Sequence, residues 1–132
     1  MVATDFDVDM VARAAERLDR FGDRVDVARV DARTLPYADG SFDFVLGVGV
    51  LHHLGEWERS LAEARRVLRV GGRLVLADPF SSFFGPPPLR RLFPPERVYS
   101  FEELRDCLSG EGFRRWRLSP VLGLGYRAVV ER

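Results

Sequence analysis

Asp39-Gly40-Ser41-Phe42-Asp43-Phe44-Val45-Leu46-Gly47-Val48 is the stretch that decides the fold. Its first three positions are turn residues. The near-continuous apolar run from Phe42 to Val48 reads as a strand of a parallel sheet buried on both faces. Upstream, Val25 to Val30 alternates into a strand ending at Asp31-Ala32, and Leu35 to Ser41 forms the loop between the two. Before that, Met10, Val11, Ala14, Ala15 and Leu18 recur at helical spacing up to Gly22, and Met1 to Thr4 reads as the end of a strand running into Asp5-Phe6-Asp7. Downstream, Trp57, Leu61, Ala64, Val67 and Leu68 share one helical face, which Gly71-Gly72 ends before a further buried strand, Arg73 to Asp78.

The order strand, helix, strand, strand, helix, strand predicts an α/β domain. Its sheet is parallel, with ligand chemistry at the carboxyl edge. Residues 79–99 break this pattern. Six prolines alternate there with Phe80, Phe83, Phe84 and Phe93, giving a loop that either covers the sheet edge or acts as a lid over a substrate pocket. Ser100 and Glu103 have the spacing of a capping box at a helix start. Arg115 to Leu118 and Tyr126 to Val130 then read as a closing antiparallel hairpin.

A chain of 132 residues, 46% of them apolar, has the size of a single domain spanning 1–132. Twenty arginines balance twenty acidic residues, and lysine is absent. A net charge of zero is no footprint for nucleic acid or an anionic membrane surface, and no apolar run is long enough to span a bilayer. A cytoplasmic protein is expected. Cys107, the single cysteine, reads as a core thiol on the helix after Ser100.

Asp5, Asp31 and Asp78 stand at the ends of successive strands, so an open parallel sheet brings them to one crevice. A strand-end carboxylate beside a nucleoside can accept both ribose hydroxyls, which is the role Asp5 fits. Phe6 would offer an apolar face to adenine, and Asp31 with the Ala32 backbone could read its polar edge. Helix capping is the plainer role for Asp5 taken alone.

Four segments resemble the class I S-adenosylmethionine-dependent methyltransferases, specifically their small-molecule, type 11 branch. Val2 to Met10 resembles that family's second strand and turn, and Val30 to Pro36 its third-strand segment. Asp39 to Leu46, running into Val50-Leu51-His52-His53-Leu54, resembles its fourth strand and the turn after it. Ala64 to Val75 resembles the next helix and strand. The resemblance implies a Rossmann-like sheet, mostly parallel with a C-terminal antiparallel hairpin. It also implies S-adenosylmethionine as cofactor, a small-molecule acceptor, and backbone contact with the methionyl part at Gly47 and Val48.

The family's first strand and glycine-rich loop are missing from this sequence, since only Met1 to Thr4 precede Asp5. That strand lies between those ending at Asp5 and Leu46, which leaves three arrangements open. The true start lies upstream, a partner subunit or second copy supplies the strand, or the two flanking strands pair directly.

Where the acceptor must lose a proton, His52 and His53 are the candidate catalytic bases; neighbouring residues on a helix point apart, so at most one faces the pocket, and His53 is slightly preferred. No third ligand stands at a suitable spacing for a metal, Asp78 being the one nominee, so none is expected. Two rivals stand beside the methyltransferase reading. A nicotinamide-dinucleotide domain shares the ribose-binding acid, and a non-catalytic methyltransferase-like fragment would act as a binding or dimerisation module.

Overall fold

A computed structural model describes residues 1–79, 99–121 and 125–132. The Pro/Phe segment 80–98, with Phe80, Phe83, Phe84 and Phe93, lies outside the described residues, as does the tip of the terminal hairpin.

The chain opens with β1 (Val2–Asp5), which the short apolar run predicts. Helix α1 (Val8–Leu18) follows, with Asp7 as N-cap: its side chain accepts from the backbone N–H of Asp9 and Met10. The capping role considered for Asp5 thus belongs to Asp7. A 3₁₀ segment (Asp19–Arg24) leads to β2 (Asp26–Arg29), and the two strands pair in parallel, Val2 opposite Asp26 and Asp5 opposite Arg29.

Strand β3 (Phe42–Val48) comes next, then a 3₁₀ turn (Leu51–His53), α2 (Trp57–Val67) and β4 (Leu68–Pro79). The rest comprises α3 (Phe101–Gly110), β5 (Arg115–Val121) and β6 (Gly125–Glu131). Ser100 and Glu103 form the reciprocal capping box that their spacing predicts.

The second sheet has the order β3-β4-β6-β5, parallel between β3 and β4 and antiparallel in the other two pairings. One face carries the core. Leu74 and Leu76 of β4, and Tyr126, Ala128 and Val130 of β6, pack with Trp57, Leu61 and Ala64 of α2 and with Leu104 and Leu108 of α3. Cys107 packs against this core, and burial pushes its thiol up to about 11, which suits the inert role read from its spacing.

Two expectations are corrected here. The helix does not end at Gly71-Gly72. It stops at Val67, and the glycines lie inside β4, where five residues, Leu68 to Gly72, stand opposite Phe42 and Asp43 before regular pairing resumes at Phe44 and Arg73. Gly71 has φ +77°, and a Cβ on Gly72 would stand 2.8 Å from the Arg69 carbonyl oxygen, so this irregularity needs both glycines.

Nor is β3 buried on both faces. Val45 packs against the core, whereas Phe44, Leu46 and Val48 on the opposite face are 51%, 59% and 62% exposed. A continuous apolar run reports a strand able to be covered twice. Among the described residues, helices cover only the α2 and α3 side of this sheet, and α1 packs instead on β1 and β2.

β1 and β3 do not pair. Among the described residues, β1 is hydrogen-bonded only to β2 and β3 only to β4, leaving one edge of each without a strand partner. Direct pairing of the flanking strands, one of the three arrangements left open by the sequence, is therefore excluded.

The placement of the core gives a direct test. Leu74 is fully buried between α2 and the sheet, so Leu74→Ala should lower unfolding free energy by about 2–5 kcal/mol in urea titration. A loss under about 1 kcal/mol would contradict this packing.

Candidate functional site

The carboxyl ends of β1, β2 and β3 surround a cavity of about 260 Å³. Its walls are mostly apolar. Asp5 and Phe6 reach it from β1, Ala32 and Leu35 from the segment after β2, and Gly47 and Val48 from β3. His53 completes the wall from the turn beyond β3. Residues drawn from four separate stretches of sequence thus converge at the sheet edge where an open α/β fold binds ligands.

Asp5 is exposed, and its Oδ1 accepts from the Asp7 N–H at 2.9 Å. That bond fixes the carboxylate at the cavity mouth and occupies one lone pair out of several. Phe6 is 57% exposed, with the Arg29 guanidinium 5.1 Å from its ring centroid and bonded through Nε to the Phe6 carbonyl at 2.9 Å. The guanidinium takes one region of the ring and holds the residue in place.

Asp31 is engaged within the chain. Both of its carboxylate oxygens take Arg33, at 3.0 Å from Nε to Oδ1 and 2.7 Å from Nη2 to Oδ2, and Oδ1 also accepts the Arg33 N–H. These bonds hold the Asp31 carboxyl below the usual carboxylate range. Ala32 lines the cavity and Asp31 does not.

His53 faces the cavity, whereas His52 Nδ1 lies 2.6 Å from Oδ1 of Asp78, whose side chain is fully buried. The two imidazole centroids nevertheless lie 3.9 Å apart, with the rings tilted by 41°. The Tyr99 and Tyr126 hydroxyls are hydrogen-bonded to each other in the same polar group. Burial raises both phenols well above their ordinary value, and the charge of Asp78 acts in the same direction.

Sequence reasoning missed two further features. Ser60 of α2 lines the cavity with a buried hydroxyl that has no hydrogen-bond partner among the described residues. It stands on the apolar face of its helix, and the one available signal was a polar residue in the stripe Trp57, Leu61, Ala64. A charged clasp also holds the Leu35 wall. Glu63 Oε2 accepts the Leu35 N–H at 2.7 Å, and Arg66 donates to the Leu35 and Tyr37 carbonyls and to Asp39.

The first 76 residues of the chain match the family model described as a methyltransferase domain. The chain belongs to the methyltransferase domain family.

This methyltransferase domain is 34% identical over 110 residues to a demethylmenaquinone methyltransferase of Thermus thermophilus, covering 83% of this chain and 47% of that protein. It is 43% identical over 68 residues to the methyltransferase GfsG of Streptomyces halstedii, covering 52% of this chain and 24% of that protein. A solved structure of an S-adenosylmethionine-dependent methyltransferase from Aquifex aeolicus superposes with a TM-score of 0.77 at 27% identity, over 98% of this chain and 66% of that one. The chain therefore spans between about a quarter and a half of these curated relatives. No helix among the described residues is long and apolar enough to cross a membrane.

The clasp yields a pH test. Arg66 holds the Glu63 carboxyl below its ordinary value of 4.5, so its contribution is present above that value and lost as pH falls through the folded one. Glu63→Gln should lower the thermal midpoint at neutral pH and flatten its decline below roughly pH 5. An unchanged acid limb would show that the clasp does not hold the wall.

Proposed function

We propose that this domain binds the nucleoside part of S-adenosylmethionine in the cavity at the ends of β1, β2 and β3, and serves methyl transfer to a small-molecule acceptor. The observation that carries this reading is the convergence of Asp5, Phe6, Ala32, Gly47 and Val48 on one cavity.

The donor set fits the cofactor in its nucleoside half. The exposed Asp5 carboxylate can accept ribose hydroxyls, Phe6 gives an apolar surface, and Ala32 supplies backbone beside the adenine edge. Asp31, engaged by Arg33, leaves that edge to the backbone. Gly47 lines the cavity, and a Cβ there would stand 3.0 Å from the Leu76 side chain, so glycine also makes room for the neighbouring strand. For the amino-acid half, Asp5 and His53 are the charged or titratable residues among the described lining, so the fit is confined to the nucleoside.

S-adenosylmethionine supplies an activated methyl group, so the protein's contribution is to align an acceptor and exclude water. The mostly apolar wall suits both tasks. His53, which lines that wall, is the candidate base for an acceptor that must lose a proton.

The open edges of β1 and β3 favour a second reading, in which the domain is a non-catalytic module completed by a strand from a second copy or another subunit. Isothermal titration of S-adenosylhomocysteine separates the two. The first reading predicts saturable binding that Asp5→Ala weakens at least about tenfold, since a charge-assisted pair of hydrogen bonds is lost. Absence of binding by the folded chain, or equal binding by the variant, would overturn it and leave the module reading.

A further inference from the structure

We propose that Glu63 and Arg66 of α2 are positioning residues of the nucleoside cavity: they hold Leu35 in its wall before a ligand arrives, and so set how tightly the cavity binds. The inference rests on the nucleoside reading above and concerns the affinity of that same site.

The need for such a device comes from the sheet topology. The cavity takes Asp5, Phe6 and Ala32 from the side of β1 and β2, and Gly47, Val48 and His53 from the side of β3. Among the described residues no strand pairing joins the two sheets. A ladder of backbone hydrogen bonds would fix the spacing of the two sides. Here that spacing depends on residues 30–41, the connection from β2 to β3, and on what holds that connection in place.

Helix α2 holds it at Leu35. Both backbone polar groups of that residue are taken by side chains three positions apart on the helix. Glu63 Oε2 accepts the Leu35 N–H at 2.7 Å, and Arg66 Nη2 donates to the Leu35 carbonyl at 2.9 Å. The rest of the guanidinium is equally committed. Nη1 donates to the Tyr37 carbonyl at 2.8 Å and to Asp39 at 2.7 Å, while Nε and Nη2 donate to the two oxygens of Glu63 at 2.7 and 2.9 Å. These bonds use the donor capacity of a guanidinium in full, so the planar fork has a single arrangement. The Arg66 and Glu63 side chains are 32% and 21% exposed, and water screens such a network less than an ion pair in open solvent.

The consequence for binding is one of populations. A wall placed in advance costs the ligand no ordering, whereas a wall in place for only a fraction of molecules lowers the apparent affinity by that fraction. Leu35 lines the cavity, and neither Glu63 nor Arg66 does, so their effect on a ligand is carried through Leu35.

Amide exchange of the ligand-free chain resolved at Leu35, paired with isothermal titration of S-adenosylhomocysteine, tests this in Arg66→Gln. In that variant the Leu35 N–H keeps its own acceptor, Glu63, so faster exchange there reports release of the wall rather than loss of a partner. The Leu35 amide should be slow in the native chain and approach its unprotected rate in the variant, and S-adenosylhomocysteine should bind the variant at least roughly fivefold more weakly. Saturation with the ligand should slow that amide again. The amides of β4 should keep their native rates, which separates the wall from a general loosening of the core.

A Leu35 amide already unprotected in the native chain, or one that stays slow in the variant, would overturn the proposal. Should Arg66→Gln fail to fold, Arg66→Lys, which keeps the charge and loses the fork, gives the same readings. Native binding that the folded variant matches would overturn this proposal alone. Absence of binding by the native chain would overturn the nucleoside reading, and this proposal with it.

Discussion

Strand β4 is hydrogen-bonded along both edges, parallel to β3 on one side and antiparallel to β6 on the other, and the rest of the structure is arranged around that double pairing. Its alternate residues Leu74 and Leu76 anchor the core, and Asp78, two residues further on the same face, closes it with a charge. A strand satisfied on both edges has its backbone polar groups paired without water, which is what permits complete burial. β1 and β3 each have this on one edge only. The contrast explains why the α2 and α3 side is tightly packed while α1, for all its amphipathic spacing, buries no residue completely.

The same constraint places the chemistry. Parallel pairing aligns the carboxyl ends of β1 with β2 and of β3 with β4, and each strand end delivers short polar or flexible residues to the edge. The apolar cavity and the buried Asp78–His52 pair adjoin through the contact between His53 and His52. One region is a cavity at the strand ends, edged by the exposed Asp5 and Phe6. The other is buried, with the Asp78 carboxyl hydrogen-bonded to His52.

The element order was legible because it rests on local signals. Gly40 and Ser41 before an apolar run, Asp7 before a helical stripe, and Ser100 three residues from Glu103 each act over a few positions. Burial was less legible. The run from Phe42 to Val48 shows what β3 could bury, whereas its actual exposure depends on which helices cover it. Gly71-Gly72 looked like a helix stop because glycine serves both caps and strand irregularities, and local sequence does not separate the two.

The site was legible in position and only partly in role. Asp5, Phe6, Ala32, Gly47, Val48 and His53 meet as strand-end reasoning expects. Asp31 lies two residues from Arg33, close enough for their ion pair to be read locally. The bond between His52 and Asp78 spans 26 positions and depends on the β4 register, which no local pattern reveals.

The central claim is that a nucleoside binds at the joined ends of β1, β2 and β3. Amide hydrogen exchange with and without S-adenosylhomocysteine, resolved to short peptides, tests it most directly. The account predicts slower exchange at residues 5–7, 31–33 and 47–49, with the β5–β6 hairpin unchanged. Protection confined to the hairpin or to α3, with none at those three segments, would contradict it.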